Sequence, residues 1–206
     1  IEAIEIYRDI MKHSGFPINV YKNIGLCMKS IGNADLAIKF LKRFEELSPD
    51  KEDVYVYLAD ITYSDIKDNL KAIEYYEKAL EIELKCLDIY SQVYGKYHKK
   101  ILDSHESLWL LYHLLNDINK GFMHKKESIE ISEKVFGKDH MHTANLYSSF
   151  GQCNCCQGNT EEGIEYLKKG FVVTEKELGA SHKKTKRLKS LIERAKNGEE
   201  IEWCRE

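Results

Sequence analysis

The sequence repeats itself at a fixed interval. A glycine followed three residues later by a histidine occurs at Gly95–His98, Gly137–His140 and Gly179–His182, and successive copies are 42 residues apart. Upstream the interval shortens to 34 and 35 residues, between three alanines that each open an amphipathic helical run: Ala3, Ala37 and Ala72. A regular period of this length is typical of folds in which similar helical units stack and share one core.

Composition favours helices throughout the chain. Only two prolines occur among 206 residues, Pro17 and Pro49, and no glycine- or serine-rich linker interrupts the sequence. Hydrophobic residues make up 43% of the chain, which is enough for a substantial core. We therefore predict an all-α protein.

Charge and hydropathy argue against several classes of partner. The net charge of −3 supplies no broad cationic field, so we expect neither nucleic acid nor an anionic membrane surface as a ligand. No apolar run is long enough to cross a bilayer, and the first residues have no basic-then-apolar leader. Six cysteines are too few for a disulfide scaffold. Together these features predict a cytoplasmic location without membrane insertion.

The repeated units share a pattern of aromatic, aliphatic and small residues. Within residues 18–51 it comprises Tyr21, Ile24, Gly25, Met28, Gly32, Ala37, Leu41, Phe44 and Pro49, and in the next unit Val56, Ala59, Asp60, Tyr63, Ala72, Tyr76 and Ala79. This pattern resembles the tetratricopeptide repeat (TPR), whose units have about 34 residues. The later, longer units resemble the repeats of kinesin light chains. Asp60, Trp109 and Lys125 depart from the pattern, which has small residues at the first two positions and an aromatic residue at the third.

The resemblance implies a TPR-type α-solenoid of stacked antiparallel helical hairpins over residues 1–206. Residues 1–13 have the pattern of a second helix without its first, so we interpret the chain as a fragment of a longer protein. We expect repeats at 18–51, 53–97, 98–139 and 140–181, followed by a capping helix at 182–197.

Two sets of residues could bind metal, and each has a simpler interpretation. Cys153 and Cys156 form a C-x-x-C pair, but without a second pair of ligands they are interpreted as small packing residues, with metal or redox chemistry as the alternative. His98, His140 and His182 recur one unit apart, too far to share a metal, and are interpreted as caps at the start of the next hairpin. No catalytic motif is found, so we predict neither enzymatic activity nor a cofactor.

The basic run from Lys183 to Arg187 allows two interpretations. It could contact phosphate or an acidic partner, or it could be the solvated face of a terminal helix.

In TPR folds the first helix of each hairpin lines a concave groove, and this family property predicts ligand contacts here. The corresponding residues are Asn19, Lys22, Leu26 and Lys29; Val54, Tyr57, Ile61 and Ser64; Asp103, Glu106, Leu110 and His113; and Asn145, Ser148, Gln152 and Cys155. The set runs from basic through apolar to acidic and then neutral. It does not match the carboxylate clamp of co-chaperones, because Leu26 and Leu58 stand where that clamp has asparagines.

The sequence therefore predicts a non-catalytic module that binds a protein or peptide segment in its groove, as a scaffold or adaptor, with an apolar anchor near Tyr57 and Ile61. Two alternatives remain. The chain could be an accessory or regulatory domain of a larger enzyme, or its main role could be self-association.

Overall fold

Short turns divide the chain into antiparallel helices. The first described turn, Ile31–Asn33, follows a helix that ends where Gly32 adopts a left-handed conformation with φ of +76°. Asn33 then caps the next helix by accepting a hydrogen bond from the Leu36 N–H at 3.2 Å. Such a side-chain acceptor satisfies one of the free N–H groups at a helix start, so glycine and asparagine together fix this turn.

The computed structural model describes residues 17–48 and 52–201, and the predicted helix at 1–13 lies outside them. Within these residues every regular element is helical, which confirms the all-α part of the predicted fold class. The helices are α1 (Asn19–Ser30), α2 (Ala34–Leu47), α3 (Glu52–Ile61), α4 (Asn69–Tyr94), α5 (Lys99–Leu114), α6 (Ile118–Val135), α7 (Met141–Cys156), α8 (Thr160–Leu178) and α9 (Lys183–Lys196).

The chain divides into two compact units. Unit 1 comprises Ile1–Cys86 and Leu111–Asp117, and unit 2 comprises Leu87–Leu110 and Ile118–Glu206. Two of the three boundaries fall inside helices α4 and α5, so each of these helices contributes residues to both units, and the third falls at the start of α6.

Unit 1 has one hydrophobic core, formed by the apolar stripes of α1 to α4. Leu41 and Ala37 of α2, Leu58 of α3 and Ala79 of α4 are all fully buried in it. A π-helical turn, Thr62–Ile66, extends α3 and ends at Lys67, which has a positive φ of 60°. The sequence gives no sign of this turn.

Asp60 shows how unit 1 accommodates a departure from the repeat pattern. Its carboxylate accepts a hydrogen bond from the Tyr76 hydroxyl at 2.9 Å and lies 3.4 Å from the Lys29 ammonium. The carboxylate thus connects α3 with α4 and with α1, where a small residue would only permit close packing.

Unit 2 contains two hydrophobic clusters, one around Phe150 and one around Leu167. Helices α7 and α8 approach closely between them. A Cβ atom at Gly151 would lie 2.7 Å from both the Gly163 carbonyl oxygen and the Leu167 backbone nitrogen. Glycine is therefore required at position 151, because backbone atoms cannot move aside as a flexible side chain can.

Candidate protein-interaction surface

The repeated Gly-x-x-His segment forms a helix-capping loop. In each copy the histidine Nδ1 accepts a hydrogen bond from the backbone N–H two residues later, as expected of an imidazole that carries its proton on Nε2. The pairs are His98 with Lys100 (3.2 Å), His140 with His142 (3.1 Å) and His182 with Lys184 (3.2 Å). The capping interpretation of these histidines is therefore confirmed.

Residues beside the histidine complete the loop. The imidazole of His98 stacks on Tyr94 with ring centroids 4.4 Å apart, and that of His140 stacks on Phe136 at 4.9 Å. Gly137 between them has a φ of +96°, in the left-handed region that favours glycine. In the first two copies the aromatic residue, glycine and histidine act as one structural element, and in the third Leu178 takes the aromatic position while the glycine and histidine recur.

The geometry of the cysteines supports packing rather than redox chemistry. Cys153 is buried in α7, and burial raises the pKa of its thiol well above the usual range, so the thiol remains protonated. The Cys156 thiol donates a hydrogen bond to the Ile201 carbonyl at 2.8 Å. In the part of the chain that the structure describes, no three His, Cys, Asp or Glu side chains are placed to hold a metal ion. Cys204 lies outside that part.

Predicted groove residues of unit 1 meet across two successive first helices. The Lys22 ammonium of α1 lies 5.6 Å from the centroid of the Tyr57 ring of α3, and both side chains are half-buried. Two turns further along α1, the Lys29 ammonium lies 3.4 Å from the Asp60 carboxylate of α3. Asn19 and Ser64 are exposed, and Leu26 is half-buried. His113 is also half-buried, and its burial lowers the pKa of the imidazole.

Two predicted contacts of unit 1 are wrong. Val54 and Ile61 are each 0% exposed and belong to the core. Their side chains present no surface to a ligand, because in α3 the apolar stripe extends onto positions that the groove was expected to occupy. The predicted apolar anchor is therefore reduced to the aromatic ring of Tyr57.

Unit 2 presents its predicted residues on α5 and α7. Asp103, Leu110 and Asn145 are exposed, Glu106 and Cys155 are half-buried, and Gln152 is buried. The Ser148 hydroxyl donates to the Ala144 carbonyl of its own helix at 2.7 Å.

Contacts of unit 2 connect its first helices in order. The Glu106 carboxylate of α5 lies 3.3 Å from His142 Nε2 of α7, and Asn145 of α7 accepts a hydrogen bond from the Lys184 ammonium of α9. The face shared by α5, α7 and α9 is called the inner face of unit 2 below.

Two residues that depart from the repeat pattern pack against each other beside this inner face. The Lys125 ammonium lies 5.5 Å from the centroid of the Trp109 ring, and Lys125 is only 5% exposed. Burial lowers its pKa, and the nearby Glu106 carboxylate partly counteracts this effect. Gly121 provides the space for the indole, since a Cβ atom there would lie 3.2 Å from the ring. The sequence marks both positions as exceptions, but not their contact.

Sequence reasoning also missed a pair of histidines in unit 2, of which His124 is buried and His105 half-buried. The Nδ1 atoms of His105 and His124 are 2.9 Å apart, so one ring must donate its proton to the other. Burial and the charge of His124 lower the pKa of His105 to about 4, and burial lowers the pKa of His124. The irregular spacing of these histidines gives no signal in the sequence.

Similarity to known proteins agrees with the fold. Two family models described as tetratricopeptide repeat match residues 55–86 and 110–176. No curated protein sequence matches the chain. Among the described residues, no helix combines the length and apolar character required to span a membrane.

Solved structures with the same architecture include TPR-like repeats from Podosopora anserina, assigned to a kinesin light chain. These share 14% identity with a TM-score of 0.65, covering 87% of this chain and 85% of that one. BtubC (BKLC) from P. vanneervenii shares 15% identity with a TM-score of 0.57, covering 100% and 92%. The apo form of RapI shares 18% identity with a TM-score of 0.55, covering 95% and 76%. At these identities the likeness shows the fold, and the two family matches show that the chain contains tetratricopeptide repeats.

Proposed function

We propose that this chain is a non-catalytic interaction module that binds an extended segment of another protein along its first helices. TPR arrays in general are protein-interaction scaffolds, and this is the coarser function that the family matches support. The binding mode, an adaptor or scaffold role and a cytoplasmic location are parts of the proposal.

The contact between Lys22 and Tyr57 carries the proposal. The two residues occupy equivalent positions in successive repeats, and their contact supports a surface shared by these positions. The tyrosine ring is held in place by the cation above it and is still partly accessible. A pre-positioned aromatic side chain loses little conformational entropy on binding, which is why such residues often supply much of the binding energy at protein interfaces.

The chemistry of the surrounding surface indicates what kind of segment would fit. Lys22 offers an ammonium donor beside the Tyr57 ring, and Asn19 adds an exposed amide on the same helix. Lys29 of α1 is paired with Asp60, and Leu26 adds partly exposed apolar area. We infer that the ligand of unit 1 is an extended segment with an apolar side chain for Tyr57 and acceptor groups for α1.

The first prediction concerns Tyr57. Affinity capture with the purified chain as bait is compared with capture by a Tyr57→Ala variant, and recovered proteins are identified by mass spectrometry. Tyr57 packs against the edge of the core without being fully buried, so circular dichroism first verifies that the variant folds. Because the anchor is deleted, we expect a partner of the parent chain to be lost, with affinity reduced by about tenfold or more. Ile61 is unsuitable for this test because its removal would damage the core.

Tyr63→Ala is the matched control. Tyr63 is 61% exposed, lies in the same unit, and is outside the predicted groove positions. A partner retained by Tyr63→Ala and lost by Tyr57→Ala supports binding along the first helices. If all three baits recover the same proteins, this binding mode is wrong.

A further inference from the structure

Unit 1 contains a cavity that involves none of the predicted groove residues. Its volume is about 540 Å³, within the range of ordinary ligand pockets. One lining residue, Tyr21, belongs to α1, and the other five belong to α2: Lys39, Phe40, Lys42, Arg43 and Glu46. The function proposed above gives this cavity no role.

Positive charge predominates in the lining of this cavity. The charged residues of α2 are three or four positions apart, so their side chains share one face of the helix. Arg43 is already paired with the Glu46 carboxylate at 2.6 Å. Within residues 17–48 and 52–201, neither Lys39 nor Lys42 takes part in an ion pair, and both are exposed. The two lysines therefore leave the lining with positive charge that is not balanced by a neighbouring carboxylate.

Two aromatic residues give the same cavity an apolar side. Phe40 is 7% exposed and belongs to the core of unit 1, and the half-buried Tyr21 packs against that core. Both rings are therefore held in place before a ligand arrives, and a pre-positioned side chain loses little conformational entropy on binding. An apolar group of a ligand would be buried against the part of these rings that lines the cavity.

We propose that this cavity binds an acidic segment of a partner protein, with carboxylates at Lys39 and Lys42 and a neighbouring apolar side chain against Tyr21 and Phe40. Ammonium groups donate charge-assisted hydrogen bonds to carboxylates, which are stronger than those between neutral groups. The site is additional to the first-helix surface and does not depend on the role of Tyr57.

The form of the cavity favours a protein segment over a free small molecule. All four charged lining residues are exposed, so the cavity is open to solvent. Small molecules bind in sites that bury most of their surface, whereas a protein segment can add contacts outside the cavity. Nucleic acid fits less well, because Lys39 and Lys42 would neutralise few phosphates and Glu46 would repel them.

Calorimetry with defined peptides tests the proposal. The probe is a blocked nonapeptide of glycine and serine with Glu-Phe-Glu at its centre, and two comparison peptides carry Gln-Phe-Gln and Glu-Ala-Glu instead. Isothermal titration is performed in about 50 mM NaCl, where screening is modest. We expect the Glu-Phe-Glu peptide to bind about tenfold more tightly than either comparison peptide, since each lacks one of the two interactions.

K39E/K42E removes the cations that the proposal assigns to the carboxylates. We expect this variant to weaken binding of the Glu-Phe-Glu peptide by about tenfold or more. K67E/K71E is the matched control, because Lys67 and Lys71 are exposed residues of unit 1 that do not line the cavity, and the change in charge is the same. We expect the control to weaken binding less than about twofold, through long-range attraction alone. Thermal unfolding followed by circular dichroism verifies that both variants fold.

Several outcomes would overturn the proposal. These are equal weakening by the two lysine pairs, equal affinity for the three peptides, or an oligothymidylate that binds more tightly than the Glu-Phe-Glu peptide and is equally sensitive to K39E/K42E. Absence of peptide binding to the parent chain also overturns it, as would result if another part of the chain or a second copy filled the cavity.

Tyr57→Ala separates this site from the first-helix surface. We expect the variant to bind the Glu-Phe-Glu peptide as the parent chain does. If Tyr57→Ala abolishes peptide binding and K39E/K42E leaves it unchanged, the peptide binds along the first helices and the cavity proposal is wrong. The reverse result supports the cavity and leaves the role of Tyr57 to the affinity capture described above.

Discussion

Two histidines of unit 2, His105 and His124, are expected to make the stability of the fold depend on pH. His105 and His124 share one hydrogen bond between their Nδ1 atoms, and that bond requires at least one neutral ring. The Glu127 carboxylate raises the pKa of both histidines, whereas Lys96 lowers that of His105, but burial dominates and keeps both rings neutral. Protonation of the pair would place two cations in contact within a packed region.

Acidification should therefore destabilise the protein through His105. In the unfolded chain a histidine binds its proton near pH 6.5, whereas the pKa of His105 is lowered to about 4 in the fold. Between these values the unfolded state binds more protons than the folded state, so the free energy of unfolding falls as the pH is lowered through this window. Urea unfolding at several pH values between 7.5 and 4 measures the decline.

His105→Gln tests the origin of this decline. Glutamine can donate a hydrogen bond to His124 but does not titrate, so we expect a shallower loss of stability between pH 6.5 and about 4. A parallel decline in the two proteins would mean that other groups dominate the acid sensitivity.

At the residue scale the sequence showed which residues depart from the repeat pattern, but not which side chains they contact. Its repeat pattern identified Trp109 and Lys125 as exceptions, and the structure shows that they are partners. Burial was harder to predict. Val54 and Ile61 occupy groove positions by spacing, but both are apolar, and the core of unit 1 takes them up because burying apolar area is favourable. The polar groove candidates Asn19, Asp103 and Asn145 remain exposed.

Among the local elements, the helix-capping loop has the clearest sequence signature. His140 supplies the acceptor for the His142 N–H and stacks on Phe136. His140→Ala removes both, and we expect the free energy of unfolding to fall by about 1 kcal/mol, as for other lost helix caps. Urea unfolding at pH 7.5 measures the change.

His140→Asn separates the cap from the stacking. The Oδ1 of asparagine can accept the same hydrogen bond, since asparagine is a favoured capping residue, so we expect this variant to recover most of the loss. If alanine and asparagine are equally destabilising, stacking on Phe136 is the main contribution of His140.

Other elements could not be predicted in the same way. The capping loop recurs three times, and this repetition reveals it, whereas the π-helical turn after α3 occurs at one place and depends on local hydrogen bonding. There the Asp68 N–H donates to the Thr62 carbonyl at 3.0 Å, and Lys67 adopts a left-handed conformation. Lysine is not a residue that signals such a conformation, so the extension of α3 is invisible in the sequence.

For the molecule as a whole, periodicity predicted the fold class because amphipathic helices with a regular repeat have few ways to bury their apolar stripes. It did not predict the division into two units, because the boundaries at Cys86 and Leu110 lie inside helices whose apolar pattern continues without interruption. A boundary within a continuous helix has no turn residues to mark it.

In a repeat fold, equivalent core residues of different repeats should contribute similarly to the free energy of unfolding. Leu41 of unit 1 and Leu167 of unit 2 are equivalent, since each packs against a glycine 16 residues earlier and is fully buried. Truncation of either leucine to alanine leaves a cavity between two helices, and we expect a loss of about 2–5 kcal/mol in each case. Leu70→Ala, at a side chain that is 78% exposed, should cost less than about 0.5 kcal/mol.

Hydrogen exchange followed by mass spectrometry locates the two losses. In a repeat fold each hairpin depends chiefly on its immediate neighbours, so local opening should become easier around the cavity before it does elsewhere. Leu41→Ala is expected to reduce protection most in α1 and α2, and Leu167→Ala most in α7 and α8. A uniform loss of protection along the chain in both variants would show that the molecule opens as one cooperative body, and stability could then not be assigned to individual hairpins.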